Sequence, residues 1–160
     1  MRGGAKALSK AEPTVALVAT VKTKMGKAYN ELKKLIPDLD QRKLISQMQF
    51  CLPGKTPPCS AQGEYFIADQ VWVKYDDFDE IVDMVIVDTK LSEKTAFTKG
   101  QKLAQQQAGK GKLAYKSKEV KGEDELKIKL PKEIEQGEQI QIKAFYKMYG
   151  DGNNQFLGIK

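Results

Sequence analysis

The chain has 160 residues, 41% of them hydrophobic and 30% charged, and it carries a formal net charge of +6. These values are typical of one soluble globular domain with a real core, and the positive charge favours a polyanionic or an acidic partner. The chain contains no histidine, which excludes serine and cysteine triads, ribonuclease A-like chemistry, and the HNH and ββα-metal nucleases. An enzyme with this sequence would have to use carboxylates, lysine, tyrosine and a metal ion.

The first residues of the chain predict a flexible segment ahead of a single domain. Residues 1–13 are rich in glycine, alanine and lysine, and the domain is expected over residues 14–160. The apolar run from Val15 to Val21 lacks the hydrophobic region of a signal peptide. No stretch of the chain approaches the roughly 18–20 apolar residues that a membrane span requires, so no span is expected.

Two helices are predicted at the start of the domain. Residues 15–36 carry an apolar stripe at helical spacing, which Pro37 ends, and residues 40–49 place apolar side chains on one side of a second helix. Glu31 lies on the first of these helices. It is a candidate metal ligand, or else a surface glutamate beside Lys34.

A loop rich in proline and glycine is predicted over residues 51–63. It contains Cys51 and Cys59, which are expected either to form a disulfide in an oxidising compartment or to remain buried thiols. Two cysteines without another soft ligand do not form a zinc site. Residues 64–75 then predict strand structure, either continuous or broken by a turn at residues 68–70.

The second half of the chain predicts a strand over residues 84–91, a helix over 98–107 and a basic flexible loop over 109–112. The C-terminal third is rich in strands, with alternating apolar residues over 126–130 and 140–148. The order of helix, helix, strands, helix and strands predicts an α/β fold of three layers. In this fold a mixed central sheet is flanked by helices.

An acid and a lysine come directly after the apolar run of the predicted strand over residues 84–91. Side chains alternate faces along a strand, so Asp88 and Lys90 point the same way. A hairpin turn centred near Val82 would place Asp76 opposite Asp88, with Cβ atoms roughly 4.5–5.5 Å apart. Two carboxylates that close repel each other unless a cation lies between them, and oxygen ligands suit Mg²⁺ or Mn²⁺.

Other acids compete with Asp76 for the first metal position. Asp83 is an odd number of residues from Asp88, so it would need a bulge or a turn to reach the same face. Asp79 is a further alternative. The opposing interpretation is structural: the acidic segment from Asp76 to Asp83 is a solvated turn, and Lys90 lies on an exposed face.

The combination of Asp76, a hydrophobic strand and Asp88-x-Lys90 resembles the motif of the PD-(D/E)XK nuclease superfamily, which has the restriction-endonuclease-like fold. The resemblance covers residues 64–107. It departs from the usual pattern in having Asp88 where glutamate is commoner, and in having no proline before the first aspartate. The segments VKYDDF and VIVDTKLS are also similar to the toxin domains that end bacterial polymorphic toxins.

The resemblance implies a metal-dependent endonuclease, with DNA favoured over RNA as the substrate. It implies that Mg²⁺ or Mn²⁺ is bound by Asp88 and by a first acid, Asp76 or Asp83. Lys90 would then orient the attacking water or stabilise charge on the phosphate. Gln101, on the helix after the strand, would lie near the phosphate or the water.

The resemblance also implies partners and a location. A toxin of this kind is secreted or injected by the producing bacterium and acts in the cytoplasm of the target cell. A cognate acidic immunity protein would block it in the producer. Lys99 and Lys102 would contact phosphates of the nucleic acid without reading bases. The alternatives are an RNase toxin that cuts tRNA with the same site, and a non-enzymatic basic binding module.

Overall fold

The computed structural model of the protein describes residues 26–116, 131–153 and 155–160. Within these ranges the fold is α/β, as the sequence predicts. The predicted flexible segment 1–13 and the predicted strand 126–130 lie outside the described residues. The elements in chain order are α1 (Lys27–Leu35), a 3₁₀ turn (Leu39–Gln41), β1 (Lys43–Cys51), β2 (Tyr65–Tyr75), β3 (Ile81–Lys90), α2 (Lys99–Gln106), β4 (Lys112–Ala114), β5 (Gln139–Gly150) and β6 (Phe156–Ile159).

In the described part of the chain, six strands form the sheet, in the order β1-β2-β3-β5-β4, and β6 pairs with β5. The strands β1 and β2 are antiparallel, with Lys43 paired to Val73 and Cys51 to Tyr65. The strands β2 and β3 are also antiparallel. Three consecutive strands of the chain are therefore neighbours in the sheet, with the long loop over residues 52–64 between β1 and β2 and a short turn over residues 76–80 between β2 and β3.

The chain divides into two compact units. We name Met1–Leu39, Asp88–Ala96 and Lys147–Lys160 the first unit, and Asp40–Val87 with Phe97–Tyr146 the second unit. The chain passes from one unit to the other within β3 and within β5.

In the first unit, α1 packs against β6. The helix buries Ala28, Tyr29 and Leu32, and it ends just before Pro37, which confirms the end predicted from the sequence. Residues 15–25 of the predicted helix lie outside the described residues. A hairpin joins β5 to β6, with Met148 paired to Ile159.

In the second unit, α2 packs against β2. Thr98 caps the helix through its hydroxyl, and the helix ends at Gln106, so the predicted helix over residues 98–107 is confirmed. The helix buries Ala104 in the main hydrophobic core, with Val71, Val73 and Ile86 of the sheet.

The helix predicted over residues 40–49 is wrong, because this segment forms the 3₁₀ turn and β1. Leu44, Ile45 and Met48 fit a helical stripe, but Phe50 and Cys51 are equally buried. A strand buried on both faces has no clear period, so periodicity alone does not separate it from a buried helix. The antiparallel ladder with β2 decides the outcome.

The loop after β1 is closed by a disulfide between Cys51 and Cys59, with Cα atoms 5.7 Å apart. Both cysteines are buried, and the disulfide decides between the two alternatives that the sequence leaves open. In the part of the chain that the structure describes, no helix has the length and apolar character needed to cross a membrane.

Candidate functional site

The aspartate and lysine that end β3 form an ion pair. Asp88 follows four fully buried residues and is itself only 2% exposed. The Lys90 ammonium lies 3.0 Å from Oδ2 of Asp88, as expected for side chains two residues apart on one face of a strand. Burial of a carboxylate is costly unless a cation or hydrogen-bond donors compensate it. Lys90 supplies that compensation in the first unit.

More lysines surround the segment that follows Lys90. Lys147 donates hydrogen bonds from Nζ to the backbone carbonyls of Glu93, at 3.1 Å, and Thr95, at 2.7 Å. Burial lowers the pKa of Lys147, and the positive charges of Lys160 and Lys90 lower it further. These groups give the first unit a concentration of positive charge beside Asp88, which suits a phosphate.

The hairpin between β2 and β3 turns earlier than the sequence predicts. The turn occupies residues 76–80, and Val82 already lies on β3. The Asp76 carboxylate accepts the backbone N–H groups of Phe78, at 2.8 Å, and Glu80, at 3.0 Å. Asp76 therefore stabilises the turn.

The predicted opposition of Asp76 and Asp88 across the hairpin is wrong. In the observed register Gln70 pairs with Val87, the residue before Asp88. Asp76 lies in the turn before β3. Asp88 lies seven residues beyond Ile81, the first residue of β3, which is a length of about 23 Å along the strand. Asp79, the second alternative for the first acid, lies in the turn with a φ of 62°.

Asp83 has a different partner from the predicted metal. Its Oδ1 lies 2.8 Å from Nη1 of Arg42, whose side chain is 0% exposed. The same nitrogen of Arg42 donates to the Trp72 carbonyl at 3.1 Å, and the Trp72 indole donates to the Gln70 amide oxygen at 3.2 Å. Asp83 thus neutralises a buried guanidinium within a polar network of the second unit.

The predicted residues on the helices are placed as follows. The Gln101 amide oxygen accepts the Thr98 N–H at 2.8 Å, and the Gln101 N–H donates to the Thr98 hydroxyl at 3.2 Å, so Gln101 forms a capping box. Lys99 and Lys102 are exposed on α2. In the first unit, Glu31 pairs with Lys34 at 3.1 Å on the surface of α1.

Sequence reasoning missed Asp69, a half-buried acid in the middle of β2. The Gln47 amide donates to Oδ1 of Asp69 at 3.3 Å. The sequence did contain a signal, because Asp69 interrupts an apolar strand at the position where a turn was the alternative. Only the pairing of the strands shows that this acid stays within the sheet.

No group of three or more histidine, cysteine, aspartate or glutamate side chains that could hold a metal ion occurs among the described residues. Mg²⁺ is commonly held by one or two carboxylates together with water and substrate phosphates. The carboxylate of Asp88, in the first unit, is a ligand of that kind. Comparison of the chain with protein-family models, with curated proteins and with solved structures gives no match.

Proposed function

We propose that the protein is a metal-dependent nuclease that hydrolyses phosphodiester bonds, with the restriction-endonuclease-like fold of the PD-(D/E)XK superfamily. The observation that carries this proposal is the ion pair between buried Asp88 and Lys90, at 3.0 Å, at the end of a core strand. An acid and a lysine on one strand face, beside other lysines, provide the ligand and the cation that phosphodiester hydrolysis requires.

A purely structural role explains this ion pair less well. Replacement of a buried ion pair by apolar residues is often neutral or stabilising, so burial of Asp88 is weak evidence of a contribution to stability. Buried ionisable groups with a specific charged partner are enriched at functional sites. The position at the end of β3 also leaves the Lys90 side chain 14% exposed, so water can reach the pair.

We propose Asp88 as the metal ligand of the motif, with structural roles for Asp76 and Asp83. The capping role of Asp76 and the pairing of Asp83 with Arg42 occupy the two acids that the sequence favoured.

The roles of the residues follow from their chemistry. Asp88 would hold Mg²⁺ or Mn²⁺ together with water and substrate phosphate, and the ion when bound would neutralise charge on the phosphate and activate water. Lys90 would orient the water or donate to the phosphate oxygens. Lys99 and Lys102, exposed on α2, would contact phosphates along the strand without sequence preference.

The proposed biological setting is that of a toxin delivered into competing bacteria. The net charge of +6 supports both a nucleic-acid substrate and an acidic immunity protein as partners. The disulfide between Cys51 and Cys59 supports passage through an oxidising compartment, where such bonds persist. We propose DNA as the substrate. The alternative is RNA cleavage by the same site, and separate incubations with DNA and with RNA distinguish the two.

The test is incubation of the purified protein with plasmid DNA and, separately, with total RNA. Each reaction is run with Mg²⁺, with Mn²⁺ and with EDTA. We expect Mg²⁺-dependent cleavage of DNA, lost on replacement of Asp88 by asparagine and kept on replacement of Asp76 by asparagine. Cleavage in EDTA, or an Asp88→Asn variant with wild-type activity, would contradict the assignment. Cleavage of RNA alone would assign the same site to an RNase.

A further inference from the structure

The turn between β2 and β3 presents an aromatic side chain to solvent. Phe78 is 84% exposed, more than any other exposed large hydrophobic residue in the described part of the chain. Asp77 and Asp79, on either side of it in the sequence, are exposed as well. A single exposed apolar residue is common on protein surfaces, so the way in which this ring is held decides what it can do.

The backbone that carries Phe78 is fixed by several hydrogen bonds. The Asp76 N–H donates to the Glu80 carbonyl at 2.8 Å, and the Asp79 N–H donates to the Asp76 carbonyl at 3.0 Å. The Asp76 carboxylate accepts from Phe78 and Glu80, and Lys132 pairs with the Glu80 carboxylate at 2.7 Å. We name residues 76–80 the acidic tip. A partner that binds the tip does not have to order its backbone, which lowers the cost of association.

A groove lies at the opposite end of β2, in the same unit. Tyr65, Phe66 and Ile67 of β2 line it together with Thr98 and Gln101 of α2, and it encloses about 660 Å³. Pockets of roughly 300–1,000 Å³ accommodate whole small molecules, so the groove has room for an aromatic side chain. Ile67 is 41% exposed, so the groove leaves apolar surface in contact with water.

Lysines lie beside this groove. The Lys116 ammonium lies 4.6 Å from the centroid of the Tyr65 ring, and Lys99 and Lys102 directly follow the two groove residues of α2. The neighbouring Glu64 carboxylate accepts a backbone N–H of its own loop at 3.2 Å. The groove therefore combines apolar walls with positive charge, whereas the acidic tip combines an apolar ring with negative charge.

We propose that the acidic tip of one copy of the protein docks into the groove of a second copy, with Phe78 in the groove and Asp77 and Asp79 facing its lysines. Aromatic anchors in apolar pockets and complementary charge at the rim are the usual features of protein interfaces. The length of β2, about 33 Å, separates the tip from the groove of the same molecule. The tip therefore reaches a groove of this kind on a second copy and not on its own.

The arrangement determines the kind of assembly. The two contacting surfaces are different, so each dimer keeps one unoccupied tip and one unoccupied groove, and further copies can add in the same direction. A contact with one aromatic anchor is small, and small interfaces are weak and transient. We expect an average mass that rises steadily with protein concentration.

The experiment is sedimentation velocity at a series of protein concentrations, for the wild type and two variants. Phe78→Ser removes the anchor and keeps the groove, and Ile67→Glu places an acid in the groove and keeps the tip. Each variant alone should associate at least about 30-fold more weakly than the wild type, the usual effect of truncating an aromatic anchor. An equal mixture of the two variants should form dimers that do not grow further, because the intact groove of one meets the intact tip of the other.

Matched variants separate docking from general effects. Leu157→Ser removes an apolar side chain that is 55% exposed in the first unit, and it should associate like the wild type. Asp77→Lys should weaken association more than Glu31→Lys, which changes the net charge equally on the surface of α1. Thermal unfolding of each variant verifies that it is folded.

Three results would overturn the proposal. They are a wild type that stays monomeric at every concentration, association that Phe78→Ser leaves intact, and a mixture of Phe78→Ser with Ile67→Glu that remains monomeric. If the wild type is monomeric and Ile67→Glu weakens binding of a single-stranded oligonucleotide, the groove belongs to the nucleic-acid interface instead. None of these results depends on nuclease activity.

Discussion

Near each end of β3 an aspartate pairs with a cationic side chain. At one end the cation is the more buried of the two groups, and at the other end the aspartate is. Near the first end the cation is buried, since the Arg42 side chain is 0% exposed and the Asp83 side chain 17% exposed. Near the last end the acid is buried, since the Asp88 side chain is 3% exposed and that of Lys90 14%. The same two kinds of charge are therefore arranged in opposite ways.

The difference indicates what each pair can do. Arg42 is held by Asp83 and by the Trp72 carbonyl, and a planar guanidinium fixed from two directions suits a permanent structural contact. Lys90 carries a compact charge on a flexible stem, so it can turn from Asp88 toward an incoming phosphate. We expect changes near Asp83 to alter stability and changes at Asp88 to alter activity.

The largest effect is expected from the end of β3 that carries Asp88. Lys90→Ala should lower the cleavage rate at saturating Mg²⁺ about 100- to 1000-fold, the usual effect of removing one group that stabilises developing charge. Asp88→Asn should lower it at least as far. Both variants should unfold cooperatively, and the rates are measured on supercoiled plasmid.

The matched control for this prediction is Asp77→Asn, which removes one negative charge from an exposed position in the turn. Its cleavage rate should equal that of the wild type. If Lys90→Ala also cleaves at the wild-type rate, the proposed mechanism is wrong.

The sequence could predict that the side chains of Asp88 and Lys90 lie on the same face, because this depends on one strand alone. Alternation of side chains fixes it wherever the strand lies in the sheet. The register of β2 against β3 could not be predicted, because it depends on where the chain turns. Several residues of the segment from Asp76 to Asp83 suit a turn, and each choice gives a different register.

The same reasoning explains the other differences between sequence and structure. The helices α1 and α2 are amphipathic and end at recognisable signals, such as Pro37 and the Thr98 cap, so their described parts were predicted. The strand β1 is buried on both faces and has no period to recognise. The hydrogen bond from Gln47 to Asp69 could not be predicted, because Gln47 has a left-handed backbone inside β1, with a φ of 61°, and glutamine gives no signal of that conformation.

A large loss of stability is expected where the cation is the buried partner. Asp83→Ala would leave the Arg42 guanidinium buried without its counter-charge, which typically costs about 3–5 kcal/mol of unfolding free energy. The measurement is urea denaturation followed by Trp72 fluorescence. Cleavage per folded molecule should not change.

A double variant sharpens this prediction. Arg42→Met combined with Asp83→Leu removes both charges and should recover most of the lost stability, because paired apolar residues often replace buried ion pairs without loss. If the double variant is as unstable as Asp83→Ala, packing rather than the buried charge determines stability there.

A smaller effect is expected in the turn that precedes β3. Asp76→Ala removes the acceptor for the N–H groups of Phe78 and Glu80, and the loss at this exposed site should be about 1 kcal/mol. Cleavage should be unaffected, although the sequence made Asp76 the preferred metal ligand. Urea denaturation and the plasmid assay test both statements, and a Mg²⁺-dependent loss of activity would restore Asp76 to the site.

The smallest effect concerns Tyr75, the last residue of β2, and it depends on pH. Burial raises the pKa of the Tyr75 hydroxyl to about 12, and the negative charges of Glu138 and Asp79 contribute less to the shift. The folded state therefore keeps this proton when the unfolded chain, with a pKa of about 10, has lost it. The contribution of Tyr75 to stability is complete below about pH 10 and is lost as the pH rises through about 12.

Tyr75→Phe isolates this contribution from that of the lysines, which also titrate at alkaline pH. At about pH 9 the variant should be less stable by about 0.5–1 kcal/mol, because the hydroxyl donates to the Lys132 carbonyl at 3.0 Å. Toward pH 12 the difference from the wild type should shrink, since the wild type alone loses the protonated hydroxyl. Urea denaturation at several pH values measures the difference. A difference that does not change with pH would show that ionisation of the Tyr75 hydroxyl does not affect stability, and cleavage at neutral pH should be the same in both proteins.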